Sequence, residues 1–89
     1  MRLARSEQVV LALLTEIGPS YGLQLVASSR GRLKRGGIYV TLGRMEDKGL
    51  VGSAEGAGGR RLYRPTALGE RGVLAARIFS GQLKVEAKA

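Results

Sequence analysis

The chain has 89 residues, with 15 Lys and Arg against 7 Asp and Glu, a net charge of +8. This length supports one domain, residues 1–89, around a small core, and excludes a second. It has no His and no Cys, one aspartate and six scattered glutamates, which leaves no basis for a zinc site, thiol nucleophile, disulfide, histidine acid–base pair or other metal cluster.

A first helix is expected from Ser6 as N-cap, with Glu7 in its first turn. Val10, Leu13, Leu14 and Ile17 follow at helical spacing, and Gly18-Pro19 stops the helix. Val9 and Leu11 lie off this stripe and are either surface scatter or a second contact face. The run Val9–Leu14 is six residues, against about 20 for a spanning helix. With Glu7 and Glu16 on either side it is also too short for an export signal. A cytoplasmic protein that does not enter membranes is expected.

Ser20 is expected to cap a second helix running to about Ser29, with Leu25, Val26 and Ser29 on one face. Gly22 inside it marks close packing at a cost of up to about 1 kcal/mol. Ser28-Ser29-Arg30-Gly31 is a turn. A third helix spans Gly36 to Gly49, with Ile38, Leu42 and Met45 toward the core. Gly49 is its C′ residue, and Lys48 sits in its last turn. The opposite face carries Val40, Gly43, Arg44 and Asp47. Asp47 is expected to sit near Lys48, Arg44 or another cation.

Leu50–Ala54 is a strand, Gly56-Ala57-Gly58-Gly59 a turn, and Arg60–Pro65 the return strand. Its faces alternate Leu62 and Arg64 against Arg61 and Tyr63. Arg60 and Arg61 stand at the base of this hairpin. Thr66 caps a last helix over residues 66–89, whose apolar side is Leu74, Ala75, Ile78 and Phe79. Its early glycines weaken it, so docking or pairing must hold it. The fold class is mainly α with one small β-hairpin. Three helices, a hairpin and a C-terminal helix are the order of a winged helix-turn-helix.

Charge is concentrated in the middle. Residues 30–64 carry nine cations against three anions, and eleven of the fifteen cations are Arg. Such clustering suits a polyanion, and Arg suits bidentate phosphate contact. Arg32-Leu33-Lys34-Arg35-Gly36-Gly37 places cations at a helix N-terminus, where backbone N–H groups also favour phosphate. Neither glycine cluster has a nucleotide-loop pattern.

The segments Tyr21–Val26, Arg35–Val51 and Arg61–Gly69 resemble the PadR family of bacterial transcriptional regulators, in order and spacing, across roughly residues 9–80. The block Tyr39–Gly49 is the most specific. The resemblance implies a homodimeric repressor of double-stranded DNA. Its third helix would enter the major groove, its wing would lie over the backbone or minor groove, and its last and first helices would build the dimer. Ile38 and Val40 stand where many relatives have Thr and Pro, which concerns fine contacts and not the fold. Some relatives have a long terminal domain or a Trp-rich effector pocket. This sequence has no Trp and ends twenty residues after Gly69, so a small-molecule effector is not supported, and neither a cofactor nor an enzymatic activity is expected.

The expected DNA contacts are Lys34, Arg35, Gly37, Tyr39, Val40, Thr41, Arg44, Arg60, Arg61 and Tyr63. Arg44 can read guanine or hold a phosphate, and Val40 can meet a thymine methyl. Gly43 serves either close packing or close approach to DNA. Tyr39 is core or a phosphate donor, and the resemblance favours the donor. Tyr21 and Tyr63 are divided between packing and backbone contact. The expected dimer contacts are Val9, Leu11, Leu74, Ile78 and Phe79. An architectural, sequence-tolerant DNA-binding protein is the main alternative, because Val40 and Gly43 carry no hydrogen-bonding side chain. The scarcity of exposed aromatic platforms disfavours RNA binding. A pure dimerisation module leaves the charge block without a purpose.

Overall fold

The computed structural model describes residues 3–71. In chain order it comprises α1 (Arg5–Ile17), β1 (Ser20–Tyr21), α2 (Gly22–Ser28), α3 (Ile38–Asp47), β2 (Val51–Glu55) and β3 (Arg61–Pro65). Residues 67–71 begin a last helix, α4. The proposed dimer contacts Leu74, Ile78 and Phe79, and most of the expected helix 66–89, lie outside the described residues.

The core is built where α1, α2 and α3 meet the sheet. Val10, Leu11, Leu14, Leu25, Leu33, Ile38, Leu42, Met45, Leu50, Val51 and Tyr63 form one buried cluster. The expected α3 stripe of Ile38, Leu42 and Met45 is buried as read. The α1 stripe is not. Its buried residues are Glu7, Val10, Leu11 and Leu14, while Ile17 is 48% exposed. Relative to the expected stripe this face is turned by about 60° at 100° per residue. Leu11 is therefore a core residue and not a dimer contact, because the inner side of α1 faces both α3 and the start of α4.

Helix ends follow local chemistry. The first helix begins at Arg5, one residue before Ser6, which is not its cap. Instead the Glu7 carboxylate accepts the Ala4 N–H at 2.8 Å. The α3 C-terminus matches the sequence. Gly49 has φ 75°, the left-handed backbone that favours glycine. Its N–H donates to Glu46 O at 2.9 Å and the Leu50 N–H to Met45 O at 2.8 Å, the paired bonds of a Schellman cap.

Ser20 does not cap α2. Ser20 and Tyr21 form β1, paired antiparallel to β3 opposite Tyr63 and Leu62. The sheet order is β1-β3-β2, so the hairpin is anchored to α2 by a third strand. In the β2–β3 hairpin Val51 opposes Pro65 and Glu55 opposes Arg61. Arg60 and Arg61 thus stand at the tip end of the wing, not at its base, because the strands run only five residues from the Val51–Pro65 end.

Thr66 caps α4 as expected, its Oγ1 accepting the Gly69 N–H at 3.1 Å. It also donates to Gly49 O, and the Thr66 N–H donates to Leu50 O at 3.0 Å. Gly69 then packs so closely that an added Cβ would sit 2.1 Å from Leu50 O and 3.0 Å from Leu11 Cδ2. The last helix is docked at its first turn through backbone contact.

Candidate nucleic-acid interface

The third helix presents an open outer ridge. Val40 is 58% and Tyr39 54% exposed. Arg44 and Asp47 are exposed, and Thr41 and Gly43 are half-buried. Among the described residues nothing lies within 4 Å of an added Gly43 Cβ. No described element packs closely against Gly43, and the helix backbone is open to close approach there.

Tyr39 leans along the start of α2. A Cβ on Gly22 would stand 2.8 Å from its ring, so the close packing expected of Gly22 is with Tyr39. Tyr39 also helps line a groove of about 170 Å³ with Tyr21, Leu23, Gln24, Arg60, Arg61 and Tyr63. This groove brings the first turn of α3 and the tip end of the wing to one side of the molecule. Tyr63 contributes little surface to it, being 5% exposed and part of the core. Burial, with the nearby Glu46 charge, raises the Tyr63 pKa against the opposing pull of Arg61. It supports the interface from within and is not one of its contacts.

The wing cations are held differently from each other. Arg61 Nε and Nη2 donate to Ser53 Oγ at 3.1 and 2.8 Å, and Ser53 donates to Glu46 Oε2 at 2.8 Å. This chain ties the wing to the outer half of α3. Arg60 lies over the Tyr21 ring with its guanidinium carbon 4.2 Å from the centroid. The Tyr21 hydroxyl accepts the Ala57 N–H at 3.0 Å, which is the packing half of the two readings for Tyr21, and its own O–H proton has no acceptor among the described residues. Sequence reasoning missed Ser53 and Glu46 as supports, since neither carries a local signal and their partners are set by the fold; it also missed Gln24, whose position three residues after Tyr21 is a local capping signal.

Lys34 and Arg35 are exposed in the turn before α3. The amides of Gly37 and Ile38 are already used, donating to Lys34 O at 3.2 and 3.0 Å. This helix start thus offers fewer free N–H groups to a phosphate than the sequence suggests. Arg32 faces another side, lining a separate open concavity with Arg5, Gln8, Val9 and Ala12. Val9 is half-buried there.

Asp47 takes no ion-pair partner among the described residues. Lys48 instead crosses to Glu7, placing Nζ 2.9 and 2.8 Å from the two carboxylate oxygens. Burial works against the Glu7 charge. The Lys48 hydrogen bond, the Ala4 N–H and the charges of Lys48 and Arg44 outweigh it and lower the carboxyl pKa. No group of three or more Asp and Glu among the described residues could hold a metal ion, and no helix there is long and apolar enough to cross a membrane.

The family model of the PadR-like transcriptional regulators matches residues 10–75, from the middle of α1 through the wing and into α4. The chain belongs to the PadR-like family. Its fold is accordingly a winged helix and its class of work is DNA-binding regulation of transcription. A PadR family transcription regulator from Clostridium difficile R20291 is similar at TM-score 0.72 and 25% identity, over 97% of this chain and 100% of that one. A transcriptional regulator from Clostridium thermocellum is similar at TM-score 0.68 and 25% identity, over 92% and 89%. No curated protein matches the sequence.

Proposed function

We propose that this PadR-like chain is a sequence-specific repressor that binds double-stranded DNA as a homodimer in the cytoplasm, at the nucleoid. The observation that carries the reading is the groove shared by Tyr39 on α3 and Arg60 and Arg61 on the wing, beside a ridge of α3 left open at Val40 and Gly43. The third helix enters the major groove, where Val40 meets apolar base edges and Arg44 reads guanine or holds a phosphate. Lys34, Arg35, Tyr39 and Thr41 hold the flanking backbone, Gly37 lets it approach, and the wing follows the adjoining backbone or minor groove. Val9 on α1, together with Leu74, Ile78 and Phe79, supplies the dimer contact.

The two residues at the centre of the ridge, Val40 and Gly43, have no hydrogen-bonding side chain. That favours one second reading, an architectural protein whose affinity comes from phosphates and DNA shape. Fluorescence anisotropy separates the two. The duplex upstream of this protein's own gene is compared with a scrambled duplex of equal composition at near-physiological salt. A preference of about a hundredfold or more supports the repressor. Equal binding supports the architectural protein.

A further inference from the structure

Tyr21 is the side chain on which three parts of the interface meet. Its backbone belongs to β1 and opposes Leu62 of the wing strand, and its N–H donates to Gln24 Oε1 at 2.8 Å at the start of α2. Its hydroxyl reaches the wing turn and accepts the Ala57 N–H at 3.0 Å. The approach is so close that a Cβ on Gly56 would lie 2.6 Å from that oxygen. One face of the ring carries the Arg60 guanidinium at 4.2 Å.

Arg60 is thereby constrained on two sides. Its guanidinium carbon stands over the ring, and its Nε donates to Ala57 O at 3.3 Å. Among the described residues no acceptor meets its two Nη groups. A stacked guanidinium keeps its outer edge available for bidentate contact, and a flexible ammonium cannot be held in that way. Holding an Arg in its binding rotamer removes ordering entropy otherwise lost on contact.

We propose that Tyr21 is a positioning residue of the DNA interface: it fixes the wing turn against α2 and holds Arg60 with its Nη edge toward a phosphate. This rests on the DNA-binding reading above and adds to it a residue that acts through another. In this proposal Tyr21 acts through Arg60 and not through a phosphate contact of its own hydroxyl.

The test is a cycle of Tyr21→Leu, Arg60→Ala and the double variant, read by anisotropy on a labelled mixed-sequence duplex across a salt series. Tyr21→Leu weakens binding about fivefold in the native background and less than about twofold once Arg60 is Ala. It also lowers the salt slope by up to about 1, as loss of one phosphate contact does. Arg60→Lys, which keeps the charge, weakens binding as well. Equal losses in both backgrounds would overturn the inference while leaving the DNA reading intact. A native protein that binds no duplex overturns both. Tyr21→Phe, which keeps the ring and loses only the hydroxyl, covers the case of a misfolded Tyr21→Leu. Amide exchange at Ala57 rises in Tyr21→Phe with little change in the melting temperature, and unchanged exchange there counts against the strut.

Discussion

Glu7 carries a charge that water barely reaches, its side chain 3% exposed, and Lys48 brings the compensating charge from the far end of α3. The pair joins the first turn of α1 to the last turn of α3 across 41 residues of sequence. Removing Lys48 leaves a buried carboxylate with the Ala4 N–H as its hydrogen bond and the Arg44 charge nearby. Lys48→Met should cost about 2 kcal/mol in urea unfolding. The acid dependence follows from the lowered Glu7 pKa. A depressed folded value gives stability that is fully present above the unfolded value and lost as pH falls through the folded one. The native chain should therefore hold its midpoint near neutrality and lose stability below about 4.5, the ordinary value for this carboxyl. Glu7→Gln should flatten that acid limb, and an unchanged limb would assign it to other groups. Arg44 is a second case at this scale, on the open ridge yet close enough to act on Glu7. Arg44→Ala should weaken operator binding and relax preference at one base position by about 1–3 kcal/mol if it reads a base. Unchanged affinity and preference would remove it from the interface.

Among the elements, the wing and the start of α4 depend most on contacts distant in sequence. The wing is five paired residues on each strand, held by β1 on one side and by the Arg61–Ser53–Glu46 chain on the other. Replacing both Arg60 and Arg61 by Ala should weaken binding to every duplex alike and lower the salt slope by up to about 2. A parallel shift at constant slope would mean that the wing does not touch phosphates. The start of α4 has no room for a side chain at Gly69, and the obstacle is the Leu50 carbonyl, which is itself held by the Thr66 N–H. Gly69→Ala should destabilise by about 2 kcal/mol or more despite the better helix propensity of Ala. Calorimetry showing a raised melting temperature would contradict that docking. Element by element, α3 was legible because its Ile38–Leu42–Met45 stripe and Gly49 stop are both local signals. The phase of α1 was not, because Val9–Leu14 is apolar all round and periodicity cannot choose a face within it. Ser20 read as a cap because its strand pairing with Tyr63 lies 43 residues away.

At the level of the molecule, the proposed assembly is a homodimer whose two interfaces meet successive turns of DNA. Sedimentation should give a dimer at tens of micromolar, and a monomer alone would refute it. Val9 can contribute to such a contact, whereas Leu11, fully buried within its own subunit, cannot.

The sequence by itself determined the helix–hairpin–helix order, the inner face of α3, the two turns at Gly49 and Gly56–Gly59, and the family. Each of these depends on neighbours within a few residues or on a motif read in a line. The tertiary structure decided the face of α1, the third strand at Ser20–Tyr21, the Glu7–Lys48 pair, the burial of Tyr63 and the strut from Tyr21 to the wing. Those are choices among locally equivalent options, and only packing between distant segments can settle them. An apolar run has no inside until something covers it, and a tyrosine has no role until its hydroxyl meets a donor.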